Sequence, residues 1–578
     1  MKSPPRQGHG MRFKNGVSAD LVLFNGFVSC LDGRETIAQA VAVKNGKILF
    51  VGSTEDAGRY ISPDTGVVDL EGRMVLPGFI ETHIHSPGAM LAELFKINLY
   101  GASSVAEIES IIGQYIRDNP GESIYFGEGF EGSLFSGDEL LKGPRKERLD
   151  ALCSEVPLIM ESLDGHTLWI NTKAFEAFHI TEETEISGGT LEKDAQGRLW
   201  GTLKEAAESL VPRKEYTHGQ MREATLKFQD FLHSLGYTAI LSISSSENPP
   251  YGVFKEMDDQ GLLKMHVKAS LVMEPQDNPE DRIQEALRLR RKFKSRHFDI
   301  TTIKFFADGV IEGGTACLLE PYSEAAGRGT DYYGTFLWDE EKLSQGFLKA
   351  NEAGFQIHVH SIGDGATKRV LDALEYTREN LPDKNYRNAI THLQLVAPGD
   401  IERFRDLEVI ASIQPYWHFK DPFIWEAVEA RLLGGRAEQE YPVQSFIEAG
   451  VVVASSSDHS VTPVPDPLLA IQTGVTRNMG NRCARDCKLM PPESADDETW
   501  LLNKNERASV LDMIRSFTSN SAWMLFMDQQ TGSIEEGKSA DFVIIDGNIL
   551  ETPSMEIEEL KVMATIFEGQ VVYQRQEA

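Results

Sequence analysis

The chain has 578 residues, which exceeds the length of about 250–300 residues at which a single hydrophobic core stops growing. Hydrophobic residues make up 41% of it and charged residues 25%, as in ordinary globular proteins. The formal net charge of -31 disfavours nucleic acid or an anionic membrane as a partner, because both bind basic surfaces. We therefore expect a globular protein of two or more domains that binds neither.

The chain start and the cysteines indicate the compartment. Residues 1–10 are polar, and no apolar segment of the kind that forms a secretory leader follows them; they are either an upstream start or derived from expression. No run of about 18 apolar residues occurs, so we expect no membrane span. The cysteines form an odd, unpatterned set, which is typical of a reducing compartment and predicts a cytoplasmic protein. They are Cys30, Cys153, Cys317, Cys483 and Cys487.

Both ends of the chain predict short β-strands. Residues 19–26 and 40–52 are rich in β-branched and apolar residues, and the Asn-Gly pairs at 25–26 and 45–46 are typical of tight turns. Residues 532–546 and 562–573 show the same character near the other end. We predict one composite β-domain made of residues 1–75 and 530–578, wrapped around a central domain.

The middle of the chain, residues 76–529, alternates short apolar strands with amphipathic helices. Repeated strand–helix units predict a parallel sheet, and their number favours a (β/α)8 barrel of the TIM type. A stretch at about 89–218 is longer than one such unit, so we interpret it as an insertion after the first barrel strand. The predicted strands include 236–243, 302–307, 355–360, 388–392, 409–413 and 451–456.

Histidines stand at the ends of two predicted barrel strands, where barrel enzymes place their catalytic residues. One strand ends in His83 and His85, and another contains His358 and His360. Residues i and i+2 of a strand point to the same side, so each pair of imidazoles can converge on one ion. The spacing alone does not decide between His358 and His360 as a ligand.

Three further strands end in residues that can bind a metal. His392 and Asp458 each close an apolar strand, and Lys304 lies among apolar neighbours. A buried ammonium is costly unless it is paired or chemically changed. Lys304 therefore either forms an ion pair with a nearby acid such as Asp308, or it is carboxylated, in which case the carbamate can bridge two metal ions.

These residue types are suited to metal-assisted hydrolysis. Neutral imidazoles and carboxylates bind Zn, Fe, Mn or Ni. A bound divalent ion lowers the pKa of water towards about 7, and a carboxylate beside that water can accept its proton, a role for which Asp458 is a candidate. Other catalytic motifs are weak: the glycine pattern at 127–132 is not followed by a helix, and neither a P-loop nor a G-x-S-x-G elbow occurs.

Nine segments in order along the chain resemble the amidohydrolase superfamily, and most closely its branch of YtcJ-like proteins and N-substituted formamide deformylases (amidohydrolase family 3). The segments are PGFIETHIH (77–85), DGHTLWIN (164–171), GTLKEAA (201–207), KFFADG (304–309), HSIGDGA (360–366), HLQLV (392–396), QPYWH (414–418), SDH (457–459) and GSIEEGKSAD (532–541).

The resemblance implies a TIM-type barrel with a composite β-sandwich. It also implies one or two divalent metal ions per chain, with zinc as the first candidate, and a homodimer. It selects His360 over His358, makes Asp458 both ligand and general base, and implies a carbamate on Lys304. It also assigns His166 and Trp169 to the substrate pocket, although packing explains them equally well. The implied metal ligands are His83, His85, Lys304, His360, His392 and Asp458.

Three positions depart from the family pattern. The family usually has Asp where Glu81 stands, Glu where Thr391 stands, and a small residue or proline near the position of His459. The metal set is intact, so these departures put the substrate in doubt and leave catalysis as expected.

The expected reaction is therefore hydrolysis of the C–N bond of an amide, an N-formyl amide or a cyclic amide by metal-activated hydroxide. Two alternatives stay open. One is a heterocycle deaminase with a mononuclear site that lacks the bridging lysine, and the other is a catalytically silent relative with a regulatory role.

Overall fold

The structure is a computed structural model that describes residues 17–186, 188–243 and 249–576, so residues 1–10 and the question of their origin lie outside it. At its centre is an eight-stranded sheet in which every pair of neighbouring strands runs parallel and follows chain order. Its strands are Phe79–Ile84, Tyr237–Ser242, His266–Val272, Phe298–Phe306, Gln356–Ser361, Ala389–His392, Ile410–Ile413 and Val453–Ser455.

The eight strands curl into a barrel, and both faces of their sheet are buried. Nearly all their residues are apolar or small and inaccessible to solvent, as expected of strands covered on both sides. The first and eighth strands approach each other: Oγ1 of Thr82 donates to the carbonyl of Ser455 at 2.9 Å, and the Asp458 amide donates to the carbonyl of His83 at 3.0 Å. The predicted (β/α)8 barrel is confirmed.

Amphipathic helices cover the outside of the barrel, as the alternation of strands and helices predicted. None of the described helices is long and apolar enough to cross a membrane. The main helices are His218–Ser234, Tyr251–Asp259, Pro279–Phe293, Glu340–Glu352, Asp364–Asn380, Pro398–Asp406, Val443–Glu448, Pro467–Thr476, Asn481–Asp486, Val510–Ser516 and Ser519–Met524.

Strands from both ends of the chain form two further sheets, which pack over a common apolar core. Phe542–Ile545 pairs antiparallel with Met74–Pro77, so the two ends share one sheet and the predicted composite β-sandwich is confirmed. Met74–Pro77 runs across the predicted boundary at 75/76, and the domain boundaries stay a prediction. One sheet has the order Lys47–Gly52, Ala40–Lys44, Leu21–Phe24 and Gly66–Asp69; the other has Gln570–Gln574, Val562–Phe567, Phe542–Ile545, Met74–Pro77, Phe27–Ser29 and Ile37–Ala38.

The insertion follows the first barrel strand, as predicted, and has a mixed sheet and an apolar core of its own. Its strands, in sheet order, are Gly189–Lys193, Leu199–Glu205, Thr167–Ile170, Leu158–Ser162, Tyr125–Phe130 and Ile97–Asn98. Its helices are Ala89–Phe95, Val105–Asp118, Asp138–Lys142, Lys146–Leu152 and Thr172–Ala177.

A histidine fastens the sandwich to the barrel. Nδ1 of His297 lies 2.7 Å from Oδ1 of Asp258 in the barrel, and its Nε2 lies 3.3 Å from Oε1 of Glu568 in the sandwich. Burial alone would lower the pKa of His297, but the hydrogen bonds and charges of the two carboxylates outweigh it and raise the pKa. The protonated ring therefore stabilises the contact between the two domains.

We expect His297→Gln to lower the thermal midpoint by a few degrees near pH 6 and to have little effect well above neutral pH. A raised folded-state pKa gives stability that is complete below the unfolded value of about 6.5 and is lost as pH rises through the folded value. Thermal unfolding of both proteins between pH 5.5 and about 9 tests this. The exposed His218, replaced in the same way, serves as the control, and an equal loss at every pH would contradict the prediction.

Candidate metal centre

Three predicted ligands meet at the C-terminal mouth of the barrel. Nε2 of His83 and Nε2 of His85 lie 3.2 and 3.0 Å from Oδ1 of Asp458. The donor atoms of this trio lie within 4.8 Å of one another, and no other such group occurs in the described part of the chain. Side chains alternate along the first barrel strand, so the imidazoles of His83 and His85 lie on the same side. The loop after the eighth strand places the carboxylate of Asp458 against them.

Burial and charge give these side chains the protonation states of metal ligands. Burial alone would raise the pKa of Asp458, but His83 and His85 outweigh it and hold the pKa well below its usual range. Burial, and then the charge of Lys304, lower the pKa of His83 well below its usual value. An ionised carboxylate beside a neutral imidazole is a donor set for a divalent ion.

Two more of the predicted histidines continue the row across the mouth. The ring centroid of His392 lies 5.1 Å from that of His83 and 4.6 Å from that of His360. Burial lowers the pKa of His392 to about 4 and the pKa of His360 well below its usual value, so both rings are neutral. The structure thus brings the histidines of three strand ends into one row.

Lys304 is fully buried beside this row, and no hydrogen-bond partner for its Nζ occurs among the described residues; Nζ lies 4.7 Å from the ring centroid of Phe306. Burial lowers the pKa of Lys304 to about 7, which makes the neutral amine accessible. A buried amine that lacks a hydrogen bond and lies beside imidazoles is what we expect of a lysine that is chemically modified or that contacts a metal. The donors and this lysine together fit a divalent metal site.

Asp308 does not form the ion pair with Lys304 that was one explanation of how a lysine is tolerated among apolar neighbours. Its carboxylate accepts backbone N–H groups from Cys317, Ile362 and Gly363 at 2.8 to 3.0 Å. These bonds use both carboxylate oxygens to hold the loops that follow two barrel strands.

His358 and His360 share one side of the fifth strand but lie at different depths. Nε2 of His358 lies 2.7 Å from Nδ1 of His83, on the far side of that ring from Asp458. Nε2 of His360 lies 3.2 Å from the carbonyl of Gly309, at the mouth. His358 is therefore placed to orient His83, which supports His360 as the ligand.

Sequence reasoning missed two side chains that hold this centre. Oε1 of Glu81 accepts the amides of His83 and Ser457, at 3.0 and 3.1 Å, and so ties the first strand to the loop that carries Asp458. Burial raises the pKa of Glu81 to about 8. Oε1 of Gln414 lies 3.0 Å from Nδ1 of His392 and fixes that ring. Neither contact could be predicted from the sequence beyond the resemblance itself, because both depend on which strand ends meet in the closed barrel.

We expect Gln414→Leu to weaken metal retention about 10–100-fold, because a ligand imidazole loses the acceptor that orients it. Gln414→Glu keeps an acceptor at this position and should retain metal better than the leucine variant. Metal loss during timed dialysis against a chelator measures both. Equal retention by wild type and Gln414→Leu would show that the contact has no such role.

The two predicted pocket residues have different surroundings. The ring centroid of His166 lies 5.9 Å from that of His360, at the mouth. Trp169 is fully buried in the core of the insertion, between Phe130 and Phe135, and its Nε1 donates to the carbonyl of Arg145 at 2.9 Å. The structure therefore corrects the assignment of Trp169 to the pocket, because its ring has no face open to a substrate.

Curated relatives match nearly the whole chain. Protein LONG AFTER FAR-RED 3 of Arabidopsis thaliana is 29% identical over 96% of this chain and 92% of its own length. The putative amidohydrolase YtcJ of Bacillus subtilis is 27% identical, with coverages of 95% and 98%. The N-substituted formamide deformylase of Arthrobacter pascens is 25% identical, with coverages of 96% and 98%.

A solved structure shares the fold. An uncharacterised metal-dependent hydrolase from Pyrococcus horikoshii superposes with a TM-score of 0.69 at 22% identity, covering 92% of this chain and 99% of its own. The model of the amidohydrolase family matches residues 66–573, which include the barrel, the insertion, every predicted ligand and the sandwich strands from Gly66–Asp69 onward. The chain thus belongs to the amidohydrolase family, and YtcJ and the N-substituted formamide deformylase are among the proteins it resembles.

Proposed function

We propose that this protein hydrolyses the C–N bond of an amide, an N-formyl amide or a cyclic amide. The observation that carries the proposal is the convergence of His83, His85 and Asp458 beside the buried, unpaired Lys304. The similarity to an N-substituted formamide deformylase along 96% of the chain supports the substrate class.

The metal is proposed to be zinc, held by the imidazoles and by Asp458, with a carbamate on Lys304. Borderline ions such as zinc match these nitrogen and oxygen donors. The carbamate forms when the neutral amine of Lys304 adds to carbon dioxide and releases one proton, which converts the neutral amine into an anion. When bound, a divalent ion supplies a water of lowered pKa and polarises the carbonyl group.

Asp458 is proposed to move the proton. Both imidazoles of the trio contact its Oδ1, and we assign Oδ2 to proton transfer. The carboxylate accepts a proton from the attacking water and returns it to the leaving nitrogen, so the amine departs neutral. The hydrogen bond between the Asp458 amide and the carbonyl of His83 keeps the carboxylate over the first strand during both transfers.

Lys304 and the complete donor set weigh against the two alternatives. A mononuclear deaminase site needs no bridging lysine, and here a lysine without a partner lies among the histidines. A silent relative is expected to have lost a ligand, whereas every residue type of the predicted ligand set is present in this chain. Both alternatives remain outcomes of the following experiment.

The test uses the full-length protein, loaded with zinc in bicarbonate buffer, and a panel of N-substituted formamides, linear amides, cyclic amides and aminoheterocycles. Formation of a carboxylate and an amine is measured beside release of ammonia. Turnover of amides with little ammonia from the heterocycles is the expected result. Ammonia release from aminoheterocycles alone would favour a deaminase, and no turnover by metal-loaded protein would favour the silent relative.

A further inference from the structure

Residues 458–462 form a turn after the eighth barrel strand, and this turn carries Asp458. At its start, the Asp458 amide donates to the carbonyl of His83 at 3.0 Å. The His85 amide in turn donates to the carbonyl of His459 at 2.8 Å. The backbone of the turn is therefore bonded to both histidines at the end of the first barrel strand.

Two of the proposed ligands have a backbone conformation that needs support from other contacts. Asp458 has a φ of 56° and His392 has a φ of 77°. A positive φ is uncommon outside glycine, and residues in this region persist where the surrounding structure holds them. The contacts that hold these two residues are therefore candidates for positioning roles.

The ring of His459 fastens the turn to a barrel helix. It is buried, and its centroid lies 6.0 Å from that of Phe228 and 5.7 Å from that of Phe231, both on the helix His218–Ser234. Its Nδ1 lies 3.0 Å from the carbonyl oxygen of Thr462, which only accepts hydrogen bonds, so Nδ1 carries a proton. Since the family pattern has a small residue or proline near this position, these contacts are particular to this chain.

The last residue of the turn contacts the opposite side of the mouth. Nε1 of Trp417 donates to Oγ1 of Thr462 at 3.1 Å. The indole ring lies against the ring of His392, with the centroids 5.8 Å apart and the planes 19° from parallel. Gln414 holds the Nδ1 edge of this imidazole, and the indole covers its face. Trp417 thus connects the turn that carries Asp458 to a ligand of another strand.

We propose that the ring of His459 and the hydrogen bond between Trp417 and Thr462 act together as a clamp. The clamp holds the proposed general base and the proposed ligand of the sixth strand at a fixed separation across the mouth, and its members are positioning residues. The inference rests on the proposed function for its kinetic test. A divalent ion needs its donors at defined distances and directions, so a loosened clamp should lower metal affinity and kcat more than it changes KM.

The first test is a double-mutant cycle across the hydrogen bond. Trp417→Phe keeps an aromatic face on His392 and removes the donor, whereas Thr462→Val removes the acceptor at nearly the same shape. We expect each variant to lower kcat about 10-fold on the best amide from the panel, with little change in KM. The double variant should lose no more than either single variant, because both remove the same bond. Thr462→Ser keeps the hydroxyl and should retain most of the rate.

Trp523→Phe is the matched control for the tryptophan change. The ring of Trp523 lies 4.6 Å from the guanidinium carbon of Arg387, which precedes the sixth strand, so it is at the opposite end of the barrel from the mouth. This variant should keep wild-type kinetics.

Two variants of His459 separate its hydrogen bond from its packing. His459→Asn keeps an N–H donor at about the place of Nδ1, and His459→Phe keeps a ring against the helix without a donor. We expect the asparagine variant to have the higher kcat and the lower thermal stability, because it leaves a gap in a buried site. The opposite order of kcat would remove the hydrogen bond of His459 from the clamp.

Spectra of the cobalt-substituted protein report the donor arrangement without turnover. The visible absorption bands of bound Co²⁺ depend on the geometry of its donors, so they should shift in Trp417→Phe and Thr462→Val and stay unchanged in Trp523→Phe. Unchanged bands and unchanged kcat in the first two variants would overturn this inference and leave the proposed function intact. If wild type binds cobalt but cleaves no amide, the proposed function fails, and the bands alone still decide whether the clamp exists.

Discussion

Asp458→Asn is expected to lower kcat by about 10²–10⁴-fold, the range that a positioned general base contributes. The amide has nearly the shape of the carboxylate but cannot accept the proton of the attacking water. It also removes the charge that both imidazoles contact through Oδ1. Steady-state kinetics on the best amide, with metal content measured on the same sample, separates loss of proton transfer from loss of metal.

Asp466→Asn provides the matched control in the segment that follows. Its Oδ1 accepts the Leu468 amide at 3.0 Å as a helix cap, a role that asparagine also fills. We expect near wild-type kcat for this variant, with a small loss of thermal stability because asparagine weakens the ion pair of Asp466 Oδ2 with Arg482 at 2.8 Å. Full activity of Asp458→Asn at normal metal content would contradict the proton-transfer role of Asp458.

Lys304→Ala is expected to lose most activity and part of the bound metal. Removal of the side chain takes away the proposed bridging anion and leaves a gap in a fully buried site. Wild type grown with ¹³C-labelled bicarbonate should show a carbamate resonance that the variant lacks. Because a small carboxylate can occupy the gap as a substitute anion, added acetate or propionate should restore part of the alanine variant's activity.

Lys268→Ala is the matched control for this change. Lys268 stands on the neighbouring third strand, is partly buried, and lies outside the row of ligands. It should keep wild-type activity and metal content, with no response to acetate. An active Lys304→Ala enzyme with full metal content would remove the carbamate from the mechanism and favour a site that needs no bridging lysine.

The barrel and most of its centre could be predicted because each signal was local. An apolar strand that ends in a polar side chain is visible in the sequence, and the rule that catalytic groups stand at the C-terminal ends of barrel strands brings such residues together. His83, His85, His360, His392 and Asp458 all reached the mouth in this way. The composite sandwich was predictable because both ends of the chain show strand and turn patterns that have no other partner.

What could not be predicted depends on contacts across the fold. The side chains of His358 and His360 point to the same side of their strand. They differ in depth within the barrel, which places His358 against His83 and the proposed ligand His360 at the mouth. The resemblance assigned Trp169 to the pocket, with packing as the alternative, and its ring lies in the insertion core. Gln414 was uninformative because it acquires its role from hydrogen bonds to residues of neighbouring strands, His392 among them.

The most direct test of the account is the metal content of protein purified without chelator in bicarbonate buffer, measured by mass spectrometry and followed by removal and return of zinc. We predict about two ions per chain, loss of amide hydrolysis on removal, and recovery when zinc and bicarbonate are restored together. Amide hydrolysis that persists in metal-free protein, or a chain that binds no stoichiometric metal, would contradict the account.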